Sequence, residues 1–321
     1  MKMKIQQGIS SLYHGAPWLT TVGLIMLADI VVSLVGLAAD PAVVTGAPAW
    51  LKPLKFGMST ALYCFNTAYF LGLFTRLRRV AGLIEKPIAA ALLLEIVLID
   101  MQAARHTTSH FNLGTPFDSG VFAVMGMGIG IVMLSNIALA AVSFFEPFSN
   151  RAWAWTVRLS FLMILAGMST GALMSLPTPE QLAAAHGHRL TVNGAHTVGA
   201  PDGGPGLPLA GWSADHGDLR IAHFVGLHGM TVLTLLLWGM QRKGWTIHRQ
   251  WRGVLLCAGS YSVIFALVLW QALRGQPLLR PDGLTWNAWE AWAAITFTLA
   301  VATLGRRAAH EARPFGMKAN S

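Results

Sequence analysis

Apolar runs of about twenty residues recur along the whole chain, broken by short polar stretches rich in Lys, Arg, Pro and Gly. At about 1.5 Å of rise per residue, a helix of that length crosses the ~30 Å hydrocarbon core of a bilayer. Eight such runs can be drawn, near 17–38, 52–75, 87–110, 118–145, 153–176, 219–240, 253–273 and 286–305. The pattern predicts an all-α, polytopic transmembrane helix bundle forming one integral membrane domain. The first run is longer than the apolar core of a signal peptide and contains Asp29, so it is expected to be a retained span.

One connection breaks the pattern of short loops. Residues 177–218 form a polar segment on one side of the bundle, and loops of that length in a compact domain are usually functional or disordered. This one carries local structural signals. Thr178-Pro179-Glu180 before Gln181-Leu182 reads as a capped helical turn with proline at its first position. The stretch RLTVNGAHTV, 189–198, predicts a short β-hairpin turning at Asn193-Gly194. An ordered cap over the outer mouth is therefore expected.

Charge sets the orientation. The basic residues divide sixteen to seven between the two faces implied by eight spans. The positive-inside rule then places both termini in the cytoplasm and the 177–218 cap in the periplasm of a bacterial-type inner membrane. Trp153, Trp155, Trp245 and Trp251 fall at the expected inner interface, and Trp50, Trp212, Trp286 and Trp289 at the outer one. The net charge of +9 thus reports topology, and no nucleic-acid partner is expected. Only 12% of residues are charged and 54% are hydrophobic, which fits lipid as the surrounding medium. Cys64 and Cys257 both lie in apolar runs and form no disulfide framework or thiolate metal motif. The tetrapeptide GMST occurs at 57–60 and 167–170, too short a match to establish an inverted repeat.

Within the spans, ionisable residues cost about 2.5–3.5 kcal/mol each at the helix centre and need partners. Asp29, Glu95 and Asp100 are such residues. If the third span runs to residue 110, Glu95, Gln102, His106 and His110 share one stripe, and His106 and His110 form an HxxxH pair. On the sixth span His223 lies about 6 Å below the outer boundary, level with His106, whereas His228 lies about 13 Å deep, level with Asp100. The GMGIG run at 126–130 reads first as small-residue helix packing, and otherwise as room for a flat macrocycle. His186, His188 and His196 of the cap read as solvated loop histidines.

These placements support three functional expectations. The leading one is a redox or oxidative protein with a haem b, or a non-haem iron, copper or zinc centre, held by His106, His110, His223 and His228. Lys52, Lys55, Arg105 and Arg220 would ring the mouth and hold haem propionates or another anionic ligand, with Glu95 and Asp100 as a catalytic proton relay. A small molecule, a lipid or a redox protein on the outer side would be the partner. The alternative is a proton-coupled secondary transporter using the intramembrane Asp, Glu and His residues. The third is a sensor or assembly factor, for which the short cytoplasmic segments offer no output domain. No P-loop, GxSxG or HExxH motif is present, so kinase, serine-hydrolase and zincin chemistry have no support.

Overall fold

The structure, a computed structural model, describes residues 2–185 and 187–304. His186 and the basic residues beyond 304 lie outside the described residues. The helices are α1 (Lys2–Gly15), α2 (Pro17–Ala39), α3 (Leu51–Gly72), α4 (Arg78–Ala104), α5 (Pro116–Phe145), α6 (Arg151–Met174), α7 (Pro179–Ala185), α8 (Leu219–Arg242), α9 (Ile247–Leu273) and α10 (Gly283–Leu304). Two short antiparallel strand pairs complete the elements, β1 (Val43–Val44) with β2 (Ala47–Pro48), and β3 (Thr197–Val198) with β4 (Gly217–Asp218).

Among the described residues five helices, α2, α5, α6, α8 and α9, are long and apolar enough to cross a membrane, as those of a membrane protein are. Helices of 22 to 27 residues, α3, α4 and α10, lie at the remaining three expected spans. The outward faces are apolar: Val35, Leu134, Phe145, Ile295 and Phe297 are all exposed. The inward faces mix large apolar residues with Ser33, Thr67, Asn136, Ser160 and Thr234. That inversion of the soluble pattern suits helices packed in lipid, where small and polar side chains make the helix–helix contacts.

The most extensive helix pair is α6 with α8, and its closest point is a pair of glycines. A Cβ on Gly226 would lie 2.4 Å from the Gly167 Cα, so neither position admits a side chain. Helix ends are satisfied locally or across the bundle. Thr115, Asn150 and Asp218 each accept a backbone N–H of the first turn of α5, α6 and α8. The start of α4 is capped by Glu146, whose carboxylate accepts the backbone N–H groups of Thr75, Arg76 and Leu77 at 2.6–3.0 Å. Glu85 of α4 in turn accepts Leu19 N–H at the start of α2.

Two sequence expectations need correction. The third span does not continue to residue 110, because α4 ends at Ala104. His106 sits just beyond, at φ 54°, with its N–H bonded to Ala103 O and Thr107 N–H to Gln102 O. This is a Schellman stop with histidine at the left-handed position that glycine usually takes. Gly244 and Gly275 occupy the same position after α8 and α9. With no glycine to mark it, the end of α4 is invisible in the apolar pattern.

The second correction concerns the cap. The predicted hairpin over 189–198 does not form. Val192 bridges Asn112 instead, and Thr197–Val198 pairs with Gly217–Asp218. Asn193-Gly194 is used elsewhere: the Asn193 side chain donates to Ser175 O, and Ala195 N–H donates to Met174 O. Gly194, at φ 113°, lies so close to Met174 O that an added Cβ would meet it at 2.4 Å. The Asn-Gly pair thus closes the C-terminal end of α6. The helical turn is as expected: Thr178 and Gln181 exchange side-chain to backbone hydrogen bonds at the start of α7. A hairpin does occur at 43–48, where Thr45 and Gly46 both have positive φ, the requirement of a type I′ turn.

Candidate functional site

The early stop of α4 positions the site. Residues 105–112 fold back into the bundle, burying Ser109 and Phe111, the latter at φ 65°. Cap residues Thr191 and Asn193 hold this segment from above, through Leu113 N–H to Thr191 O and Asn193 N–H to Phe111 O. His110 is thereby carried back to Glu95, nine residues, or about 13 Å of helix, before the end of α4. Its Nε2 lies 3.5 Å from Glu95 Oε1, and its Nδ1 lies 2.9 Å from Lys52 Nζ on α3. One imidazole therefore lies between an ammonium and a carboxylate from two helices, hydrogen-bonded to the first and close to the second, whose oxygens have no hydrogen-bond partner among the described residues. Gly128 of the GMGIG run faces this carboxylate, 3.9 Å from Oε2 to an added Cβ, while Gly126 and Gly130 face nothing within 4 Å.

The cap supplies the second layer. His196 Nδ1 donates to Asp202 Oδ2 at 2.8 Å, and its ring packs on Phe111 at a centroid distance of 4.9 Å. Asp202 also accepts the backbone N–H groups of His196 and Thr197. Burial raises the Asp202 carboxyl, but these bonds, led by His196, outweigh it and hold it well below the usual range. Burial lowers His196, with Asp202 opposing. His110 is held well below the ordinary histidine value, first by burial and then by the Lys52 charge. Both rings are partly exposed, with 21% and 25% of their side-chain surface accessible.

Two more cations bond to the cap. Lys55 Nζ donates to Ala210 O at 3.0 Å, and Arg220 Nη2 donates to the adjacent Gly211 O at 2.8 Å. Arg220 also grips Asp218 through Nε and Nη2.

No family model, curated protein or solved structure matches this chain. The site is therefore read from its own geometry.

That geometry does not gather the four expected metal ligands. Among the described residues no group of three or more His, Cys, Asp or Glu is placed to hold one ion. His106, at the exposed turn, pairs through Nε2 with Asp40 Oδ2 at 3.0 Å. His110 is engaged at both ring nitrogens. His223 donates its Nδ1 hydrogen to Gly167 O at 2.8 Å, across the glycine crossing of α6 and α8. His228 bonds back to Phe224 O at 2.9 Å and stacks on that ring. Arg105, expected at an anion, instead pairs with Asp118 at 2.7 Å and lies over Phe117. Asp100 meets Asp29 of α2, carboxyl to carboxyl. Gly57 gives Asp29 its room, since a Cβ there would be 2.7 Å from Oδ2. Sequence reasoning missed His196 and Asp202. The signal was an aspartate ahead of Gly203-Gly204, six residues after a histidine.

Proposed function

We infer that this chain is an eight-span inner-membrane protein, both termini cytoplasmic, that couples proton movement to the passage of a small solute. The observation that carries this reading is His110 held between Lys52 Nζ and Glu95 Oε1. A neutral imidazole has one donor and one acceptor nitrogen. It takes a proton at one nitrogen while releasing the other, which passes a proton between the Lys52 side and the carboxylate without moving the ring. A carboxylate at this depth is costly unless it is paired or protonated, and that makes Glu95 a natural proton carrier. The Asp29–Asp100 contact supplies a second intramembrane carboxyl pair, in which one proton satisfies two groups.

Pyranine-loaded proteoliposomes, challenged with a panel of small organic acids, amines and sugars, test this reading. The expected result is solute-dependent proton movement that is lost in Glu95→Gln. Equal movement in the variant overturns the role of Glu95, and no movement for any solute overturns the transport reading.

A second reading keeps the redox protein with a haem or non-haem metal centre. It is favoured by His196 and His223, whose Nδ1 atoms are fixed by Asp202 and by Gly167 O, leaving each Nε2 without a protein partner among the described residues. Histidines that bind metals are oriented in this way. An absorption spectrum and metal analysis of the purified protein decide it: a Soret band or stoichiometric metal, lost in His223→Ala, supports the centre, and neither removes it.

A further inference from the structure

Lys52 and Lys55 stand three residues apart on α3, on one helix face, at its cap-side end. Each ammonium has three donors. Lys52 spends one on His110 Nδ1, and Lys55 spends one on Ala210 O. No carboxylate oxygen lies within 4.0 Å of either nitrogen among the described residues. Of the nearby acids, Asp218 holds Arg220 and Asp202 holds His196, while Glu95 approaches His110 at 3.5 Å. Arg220 is drawn toward the same place, since it and Lys55 hold neighbouring carbonyls of the cap, Ala210 and Gly211. Lys52 stands one helical turn from Lys55.

Arg220 thus has a carboxylate in contact, whereas Lys52 and Lys55 have none. A fold tolerates such an arrangement when a ligand completes it. We propose that Lys52, Lys55 and Arg220 form a seat for an oxyanion, a carboxylate or phosphate group that enters from the cap side and bridges the two lysines. The unused ammonium hydrogens supply charge-assisted bonds to its oxygens. Resting on the transport reading above, this names the solute as an organic acid or phosphate, with His110 and Glu95 lying directly beneath it. A proton delivered through His110 to an oxygen of the bound anion removes its negative charge, weakens its pairing with the ammonium groups and lets it leave. The same chemistry would serve the phosphate of an acidic phospholipid.

Binding is measured on the full chain, without transport. Thermal unfolding of the detergent-solubilised protein is followed against inorganic phosphate, succinate and acetate, with choline chloride as the ionic-strength control. A parallel series uses nanodiscs of phosphatidylcholine with and without phosphatidylglycerol. The expected result is a saturable upward shift with at least one soluble oxyanion, weakened about tenfold or more in Lys55→Gln, which removes one full charge contact. Glutamine keeps a donor for Ala210 O, so the cap stays tied. Lys55→Arg, which keeps the charge, should restore binding and guards against a folding artefact. A shift confined to phosphatidylglycerol nanodiscs, also lost in Lys55→Gln, supports the oxyanion seat with a lipid as its source. No shift with any oxyanion, or shifts equal in wild type and Lys55→Gln, overturns it. Glu95→Gln separates the two readings. It should still bind the anion while losing proton movement; binding lost with proton movement intact would reverse the assignment of the two roles.

Discussion

Replacing Asp202 by asparagine tests whether the cap is locked onto the bundle as described. The carboxylate accepts from three donors: Thr197 N–H at 2.8 Å, His196 N–H at 3.0 Å, and the His196 ring at 2.8 Å. Asparagine offers one acceptor oxygen and turns an NH2 group toward donors that cannot accept it. Hydrogen bonds to a charged group contribute about 1.5–3 kcal/mol each, and neutral ones about 0.5–1.5 kcal/mol. Downgrading three of them, with one left unmade, should cost about 3 kcal/mol. At roughly 2–4 °C per kcal/mol for chains of this order, the apparent Tm should fall by roughly 6–12 °C. The pH dependence carries the sign. Burial holds His196 below its ordinary 6.5, so the ring is neutral in the fold and protonates more readily when unfolded. Its contribution is complete above about pH 6.5 and is lost as pH falls below that value toward the folded pKa. His110, lowered in the same way, acts in the same window. Asp202, held below its ordinary 3.8, adds a further loss at stronger acid. In Asp202→Asn the carboxylate that favours the imidazolium is gone, so the loss between pH 6.5 and 5 should deepen. His196→Ala should flatten it. Thermal unfolding in detergent across pH 5–8 measures both effects. A Tm for Asp202→Asn within about 1 °C of wild type at pH 7.5 refutes the reasoning.

Other positions give independent checks. Gly226→Ala sets a Cβ 2.4 Å from the Gly167 Cα and should destabilise by about 1–3 kcal/mol in detergent unfolding, because backbone cannot step aside. Gly239→Ala in the same helix meets nothing within 4 Å and should be neutral or mildly stabilising. Glu146→Gln should lower stability by about 2 kcal/mol through the N–H groups of Thr75, Arg76 and Leu77. Burial raises the Glu146 carboxyl but those bonds outweigh it, so its contribution is lost as pH falls through its lowered pKa, and the variant should lack that acid step in an unfolding–pH series. Gly194→Ala, at φ 113° and 2.4 Å from Met174 O, should loosen the cap, and faster tryptic cleavage after Arg189 would report it.

The helices were legible because a twenty-residue apolar run has few other fates. The starts of α5 at Pro116, α7 at Pro179 and α8 after Asp218 follow from proline and capping side chains that act within their own turn. What escaped was long-range. Asn193-Gly194 is a hairpin signal by local rules, but open carbonyls at the end of α6 offered it a better use. His196 resembled any loop histidine until the cap folded it onto Phe111 and Asp202. Lys52, Lys55 and Glu95 were visible as polar residues in apolar runs, whereas the pairing of Glu95 with His110 was not. It depends on a segment that leaves the helix and returns.

That return explains why α4 stops where it does. Had the helix continued to residue 110, His110 would ride at its tip, about 22 Å along the axis from Glu95 and out of reach. Stopping at Ala104 places His106 and Phe111 at positive φ, conformations that cost of order 1–3 kcal/mol each and persist only where surrounding contacts enforce them. The contacts here are the pairing of 111–113 with the cap, the His106–Asp40 bond, and the burial of Ser109 and Phe111. None of these is needed to span a bilayer, since a straight helix of the same residues would do so without strain. What the detour gains is one imidazole placed between α3 and α4, with a lysine on one nitrogen and a glutamate on the other. The strain and the cap that sustains it are therefore best understood as the means of holding His110, and a glycine substitution at the helix stop makes the point testable: His106→Gly should relieve the strained turn and raise stability, while leaving the Lys52–His110–Glu95 contact and proton movement in place.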